Sequence, residues 1–184
     1  MLHAGHGTDH EEPRVLGGGA AHGHGIADAS GTIYLPKGHC GVAMVAVSDD
    51  EGSTWRHIAA STPDLPATDH EVGVGIDRLG TIYVAWTGPD GLPYLAHSSD
   101  KGHTWSRPLE MGPPGTQHTG WTELYVGGPG RVVLAYMGSR QVLGAANQTY
   151  EAMMTVSYDV LTDSPTFYSG TINDAAKDAF VVGL

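Results

Sequence analysis

Two stretches of this chain concentrate side chains that can do chemistry. Asp69-His70-Glu71 sets an imidazole between two carboxylates. His118-Thr119-Gly120-Trp121-Thr122-Glu123 combines an imidazole, an indole and a third carboxylate. Carboxylates and imidazoles move protons, and an indole offers a flat apolar face on which another ring can stack. Arg140, in Ser139-Arg140-Gln141, adds a guanidinium that binds carboxylates in bidentate fashion. Asp69, Glu71 and Glu123 are the acids to weigh, and His70, Trp121 and Arg140 the substrate contacts to weigh.

Metal and cofactor chemistry find less support. His22, His70 and His118 recur every 48 residues, but they drift against Gly31, Gly80 and Gly130, so a shared ligand set is not expected. His3, His6, Asp9, His10, Glu11 and Glu12 read as a solvated tail, because nothing nearby would rigidify a coordination sphere. The single cysteine, Cys40, excludes an internal disulfide and a multi-cysteine zinc site. It is either idle or bridged to a cysteine outside this chain. Asn147-Gln148-Thr149 forms a glycosylation sequon whose use depends on a eukaryotic secretory route. No phosphate-cradling loop, nucleophilic-serine signature or His-Glu-x-x-His pair occurs. No metal and no cofactor are expected.

The elements that would position these residues come in repeats. Gly25-Ile26-Ala27-Asp28-Ala29-Ser30-Gly31-Thr32-Ile33-Tyr34 returns as Gly75-Ile76-Asp77-Arg78-Leu79-Gly80-Thr81-Ile82-Tyr83. A weaker third copy, Gly130 to Tyr136, leads to Thr155-Val156-Ser157-Tyr158-Asp159 after extra residues in Gly138 to Tyr150. Each copy reads as four short β-branched and aromatic runs separated by Gly, Pro and Asp turns. Four strands in roughly 40 to 50 residues is the period of a β-propeller blade. The expected fold is all-β, a partial β-propeller of about three four-stranded antiparallel blades over about 21–60, 69–110 and 120–167. Residues 1–20 read as a flexible tail, and 168–184 as the opening of a further blade that stops part-way.

Ser48-Asp49-Asp50-Glu51-Gly52-Ser53-Thr54-Trp55 and Ser98-Ser99-Asp100-Lys101-Gly102-His103-Thr104-Trp105 share the pattern Ser-x-Asp-x-Gly-x-Thr-Trp. A carboxylate here can accept amide hydrogens exposed by a tight hairpin, the glycine tolerates positive φ, and Ser and Thr hydroxyls satisfy what is left. Trp55 and Trp105 are expected to fill the space between sheets. These residues are thus structural: Asp50 and Asp100 are consumed by folding rather than catalysis.

This octapeptide resembles the Asp-box, or BNR repeat, of the sialidase (neuraminidase) superfamily of β-propellers. The resemblance covers about residues 22 to 167, and secreted bacterial members are the most similar. It implies a glycan or glycoconjugate partner, an extracellular location and, when complete, an exo-glycosidase. Sialidase propellers have six blades, so about three blades imply either a fragment, which the stop part-way through a further blade favours, or a ring closed by assembly with other copies. Blade connectivity puts the entry to each first strand and the loop between its second and third strands on one face, opposite the Asp-box turns. In the family, substrate binds on that first face, which here carries Asp69 to Glu71, His118 to Glu123, and Arg140. Sialidases use an arginine triad, an Asp acid/base and a Tyr nucleophile assisted by Glu. The Phe/Tyr-Arg-Ile-Pro strand that usually carries the first arginine is absent here. The resemblance therefore leaves two readings, a sialidase-like glycoside hydrolase and a non-catalytic propeller that binds a carbohydrate or protein partner.

Composition bounds these readings. Charged residues make up 16% of the 184, and the net charge is -11. An acidic chain lacks the basic footprint of a nucleic-acid or anionic-membrane binder. The apolar run Gly41 to Val47 is too short to span a bilayer, and Met1 to Pro13 shows no signal-peptide core. Blade faces left uncovered in a three-blade piece predict self-association.

Overall fold

The computed structural model describes residues 24–39, 41–68, 71–174 and 180–182. The expected amino-terminal tail lies outside them. The described residues form thirteen strands and no helix, so no helix is long and apolar enough to cross a membrane. The first sheet runs β1 (Ile26–Ala27), β2 (Ile33–His39), β3 (Val42–Ser48) and β4 (Arg56–Ala59). The second runs β5 (Val72–Ile76), β6 (Ile82–Thr87), β7 (Pro93–Ser98) and β8 (Leu109–Glu110). The third runs β9 (His118–Val126), β10 (Val132–Ser139), β11 (Gln148–Ser157) and β12 (Tyr168–Thr171), with β13 (Phe180–Val182) also paired to β11. All pairings are antiparallel.

The strand β12 departs from the expectation that a further blade begins at Tyr168. Met153 to Val156 pair with Thr171 to Tyr168, so this segment is an edge strand of the third sheet. Tyr-Ser-Gly-Thr has no apolar alternation to announce a strand, and the turn before it runs seven residues from Asp159 to Thr166 against four from Asp50 to Thr54 and from Asp100 to Thr104, which obscured the phase.

The middle sheet shows how the stack is held. The run Ile-Tyr-Val-Ala-Trp-Thr of β6 is buried along its whole length, as a strand covered on both faces must be. Side chains alternate across a strand. Ile82, Val84 and Trp86 therefore point to the first sheet, where they meet Tyr34, Val45 and Val47. Tyr83 and Ala85 point to the third, where they meet Leu124, Leu134 and Tyr136. Each large apolar side chain buried in these seams contributes roughly 1.5–3 kcal/mol. Where the innermost strands converge, Val-Gly-Val-Gly-Ile of β5 leaves room for its neighbour. A Cβ on Gly75 would collide with Val126.

Among the described residues, the outer sheets bury one face only. In the first, Leu35 is exposed and its cross-strand partner Ala46 is half-buried. In the third, Val133 and Ala135 pair with Val156 and Met154, all half-buried.

The two Ser-x-Asp-x-Gly-x-Thr-Trp turns fold alike. Ser48 donates its hydroxyl to Asp50 at 2.8 Å and accepts the Gly52 amide at 2.8 Å. Thr54 donates its amide and hydroxyl to the two Asp50 oxygens at 2.8 and 2.6 Å. Ser98, Asp100, Gly102 and Thr104 repeat these bonds within 0.1 Å, at 2.7, 2.8, 2.8 and 2.6 Å. In the third sheet Ser157 donates to Asp159, which accepts the Thr166 amide, and Phe167 takes the tryptophan's place. Trp105 and Phe167 pack into the seams, as an inter-sheet role requires. Trp55 does not: it stands at the free flank of the first sheet, 39% exposed, because no described sheet precedes it.

Candidate functional site

Strand direction puts these turns at one end of the sheets and, at the other end, the start of β9, the start of β5 and the β10–β11 loop. A groove of ≈ 530 Å³ opens there, lined by Glu71, His118, Thr119, Gly120, Trp121, Leu143, Gly144, Ala145, Gln148 and Tyr150.

A β-bulge aims the indole. Along β9, Glu123 pairs with Ala135 and Gly120 with Met137, so Trp121 and Thr122 together oppose a single partner residue. Bulges commonly re-aim a side chain beside a site. Trp121 sits at φ 53°, a left-handed conformation that a bulky residue rarely takes. It is 51% exposed, with its ring edge-on to Tyr150 at 6.0 Å between centroids. Tyr150 is buried, and its hydroxyl lies 2.9 Å from Nδ1 of His118. Burial pushes the Tyr150 phenol above its ordinary pKa, so it is neutral at physiological pH.

The surrounding backbone is pinned. The Thr119 side chain is buried, donates to the Gly91 carbonyl at 2.9 Å and lies 3.2 Å from the Thr87 hydroxyl. This ties the β6–β7 loop to the mouth of the third sheet. Gly91 has φ 80°, and a Cβ there would sit 2.7 Å from the Gln117 carbonyl oxygen, so only glycine fits. In the β10–β11 loop the Gln148 side chain donates to the Gln141 carbonyl and accepts the Gly144 amide, both at 3.2 Å. The Gln141 side chain accepts the Thr149 amide at 2.9 Å. The loop so fixed holds Leu143 out at 68% exposure as a further apolar lining residue.

Among the residues singled out from sequence, Glu71 and Trp121 meet in this groove. Glu123 does not join them. It lines a separate cavity of ≈ 500 Å³ along the innermost strands, with its Oε2 3.5 Å from His24 Nδ1. Arg140 is not among the groove-lining residues, and its Nε lies 3.7 Å from Glu151 Oε2. Asp69 and His70 lie outside the described residues, as does His22. Among the described residues no group of three or more His, Cys, Asp or Glu could hold a metal ion. Sequence reasoning missed Tyr150, Leu143 and Gln148. The signal was present in the extra length of Gly138 to Tyr150, the insertion that carries all three.

No protein-family model and no curated protein matches the sequence. Solved structures do match. The NanB sialidase from Streptococcus pneumoniae, as its K499G mutant, aligns at 22% identity with a TM-score of 0.58, covering 81% of this chain and 23% of that one. The fold is that of a sialidase-like propeller. A leech intramolecular trans-sialidase aligns at 17% identity and TM-score 0.54, over 82% of this chain and 24% of that one. A Dyadobacter fermentans protein of unknown function aligns at 16% identity and TM-score 0.59, over 82% and 41%. The chain thus spans a quarter to two-fifths of these solved structures, and at these identities the likeness concerns the fold.

Proposed function

We propose that this chain forms a glycan-binding face of a sialidase-like Asp-box propeller, with the Trp121 groove as the carbohydrate site. The carrying observation is the half-exposed indole of Trp121, held edge-on to Tyr150 at the mouth of a groove opposite the Ser-Asp-Gly-Thr turns. An indole in this setting stacks on the CH face of a pyranose. The repeated bonding pattern of Asp50 and Asp100 supports reading those turns as Asp-boxes. A glycan partner goes with an extracellular location.

For this chain we favour binding over hydrolysis, because Glu71 and Glu123 line different cavities and Arg140 is engaged by Glu151. Saccharide titration followed by Trp fluorescence and NMR tests the reading. Binding that disappears in Trp121→Ala is expected. Binding unaffected by that change would overturn it, and turnover of a fluorogenic sialoside would restore the glycosidase reading.

A further inference from the structure

We infer that the groove selects uncharged pyranosides and rejects carboxylate-bearing ones. This deepens the glycan reading above and rests on it.

The recognition surface carries two complementary features. Trp121 and Leu143 both stand exposed along the groove, and the Tyr150 ring, edge-on to Trp121, lines it with them. Beside them, a Cβ on Gly120 would meet no described atom within 4 Å. A flat ring with an apolar CH face fits such a groove. The half-buried Glu71 also lines it. A carboxylate is an acceptor only, so it matches the hydroxyl donors of a sugar. It has nothing to offer a second carboxylate except repulsion.

The cations of the described residues are placed elsewhere. Arg140 faces Glu151, and Arg56 lies beside Asp49 and donates to the Lys101 carbonyl. Arg78 and Arg107 line other cavities. A bidentate guanidinium is the usual means of holding a carboxylate, and no described arginine or lysine lines the groove. The net charge of -11 adds a long-range field of the same sign.

The test compares matched ligands on the 184-residue chain at pH 7.5 by NMR titration. Methyl β-glucoside is set against its glucuronide, and lactose against 3′-sialyllactose. Each neutral sugar should bind at least about tenfold tighter than its anionic partner, the scale of one close like-charge contact. Glu71→Gln should shrink that ratio several-fold while circular dichroism stays unchanged, and Trp121→Ala should abolish binding of all four. Equal or tighter binding of the glucuronide or sialyllactose, still lost in Trp121→Ala, would overturn the selectivity and leave the glycan site standing. Absence of binding by every sugar would overturn both.

Discussion

The Tyr83 hydroxyl of the second sheet accepts the backbone amide of Gly130 in the third at 2.9 Å. The same hydroxyl donates to Asp77 at 2.8 Å, and Asp77 in turn caps the Leu79 and Thr81 amides of its own hairpin. One buried oxygen therefore links a turn to the seam between sheets. Burial by itself would raise the Asp77 pKa, but these donors outweigh it and hold the carboxyl below its usual range.

Replacing Tyr83 by Phe strands a buried amide and removes a donor to a carboxylate. Loss of about 1–3 kcal/mol is expected in urea unfolding. Tyr34→Phe should cost less, because Tyr34 makes the corresponding bond to Asp28 at a longer 3.1 Å. Burial pushes the Tyr83 phenol up to about 12. Its contribution is therefore full below the ordinary phenol pKa and is lost as pH rises through about 12. Absorbance titration should lose one late-ionising phenol in Tyr83→Phe.

Trp121 is held at φ 53°, where a residue with a Cβ is strained. Trp121→Gly should leave thermal stability unchanged or raise it by up to about 1 kcal/mol, since relief of strain offsets the lost ring contact. Saccharide binding should vanish in the same variant. A large drop in melting temperature would show that the indole is there for packing.

The Asp100 carboxyl is lowered to about 2 by the Thr104 hydroxyl, the Thr104 amide and the Ser98 hydroxyl. A depressed carboxylate stabilises the fold above its unfolded pKa, near 3.9. That stabilisation is lost as pH falls through about 2. Acid unfolding followed by circular dichroism should show this slope between about pH 4 and 2, and Asp100→Asn should flatten it while lowering stability at neutral pH.

Leu35 on one flank and Val156 on the other belong to sheet faces that no described element covers. Concentration-dependent self-association is expected in light scattering. Leu35→Lys combined with Val156→Lys should return the protein to monomer without changing its circular dichroism.

What could be read from sequence was what local chemistry dictates. The Ser-x-Asp-x-Gly-x-Thr-Trp turns were legible because each hydrogen bond in them joins residues at most four apart. The groove face followed from strand direction alone. Tyr150 and Leu143 were not legible, because their placement depends on how Gln141 and Gln148 staple a loop of irregular length. Trp55 misled for a related reason: its type specifies a seam residue, but only a neighbouring sheet makes a seam. Tyr168 to Thr171 became a strand through pairing with Met153 to Val156 rather than through propensity.

The alternation along β6 has a consequence for synthesis on the ribosome. Ile82, Val84 and Trp86 emerge when their partners Tyr34, Val45 and Val47 have already been translated. Tyr83 and Ala85 must wait for Leu124, Leu134 and Tyr136, some 40 or more codons downstream. During that interval the nascent chain carries a finished first seam and a bare second one, so a translational pause between Ser98 and Leu134 is when chaperone capture or aggregation should be greatest.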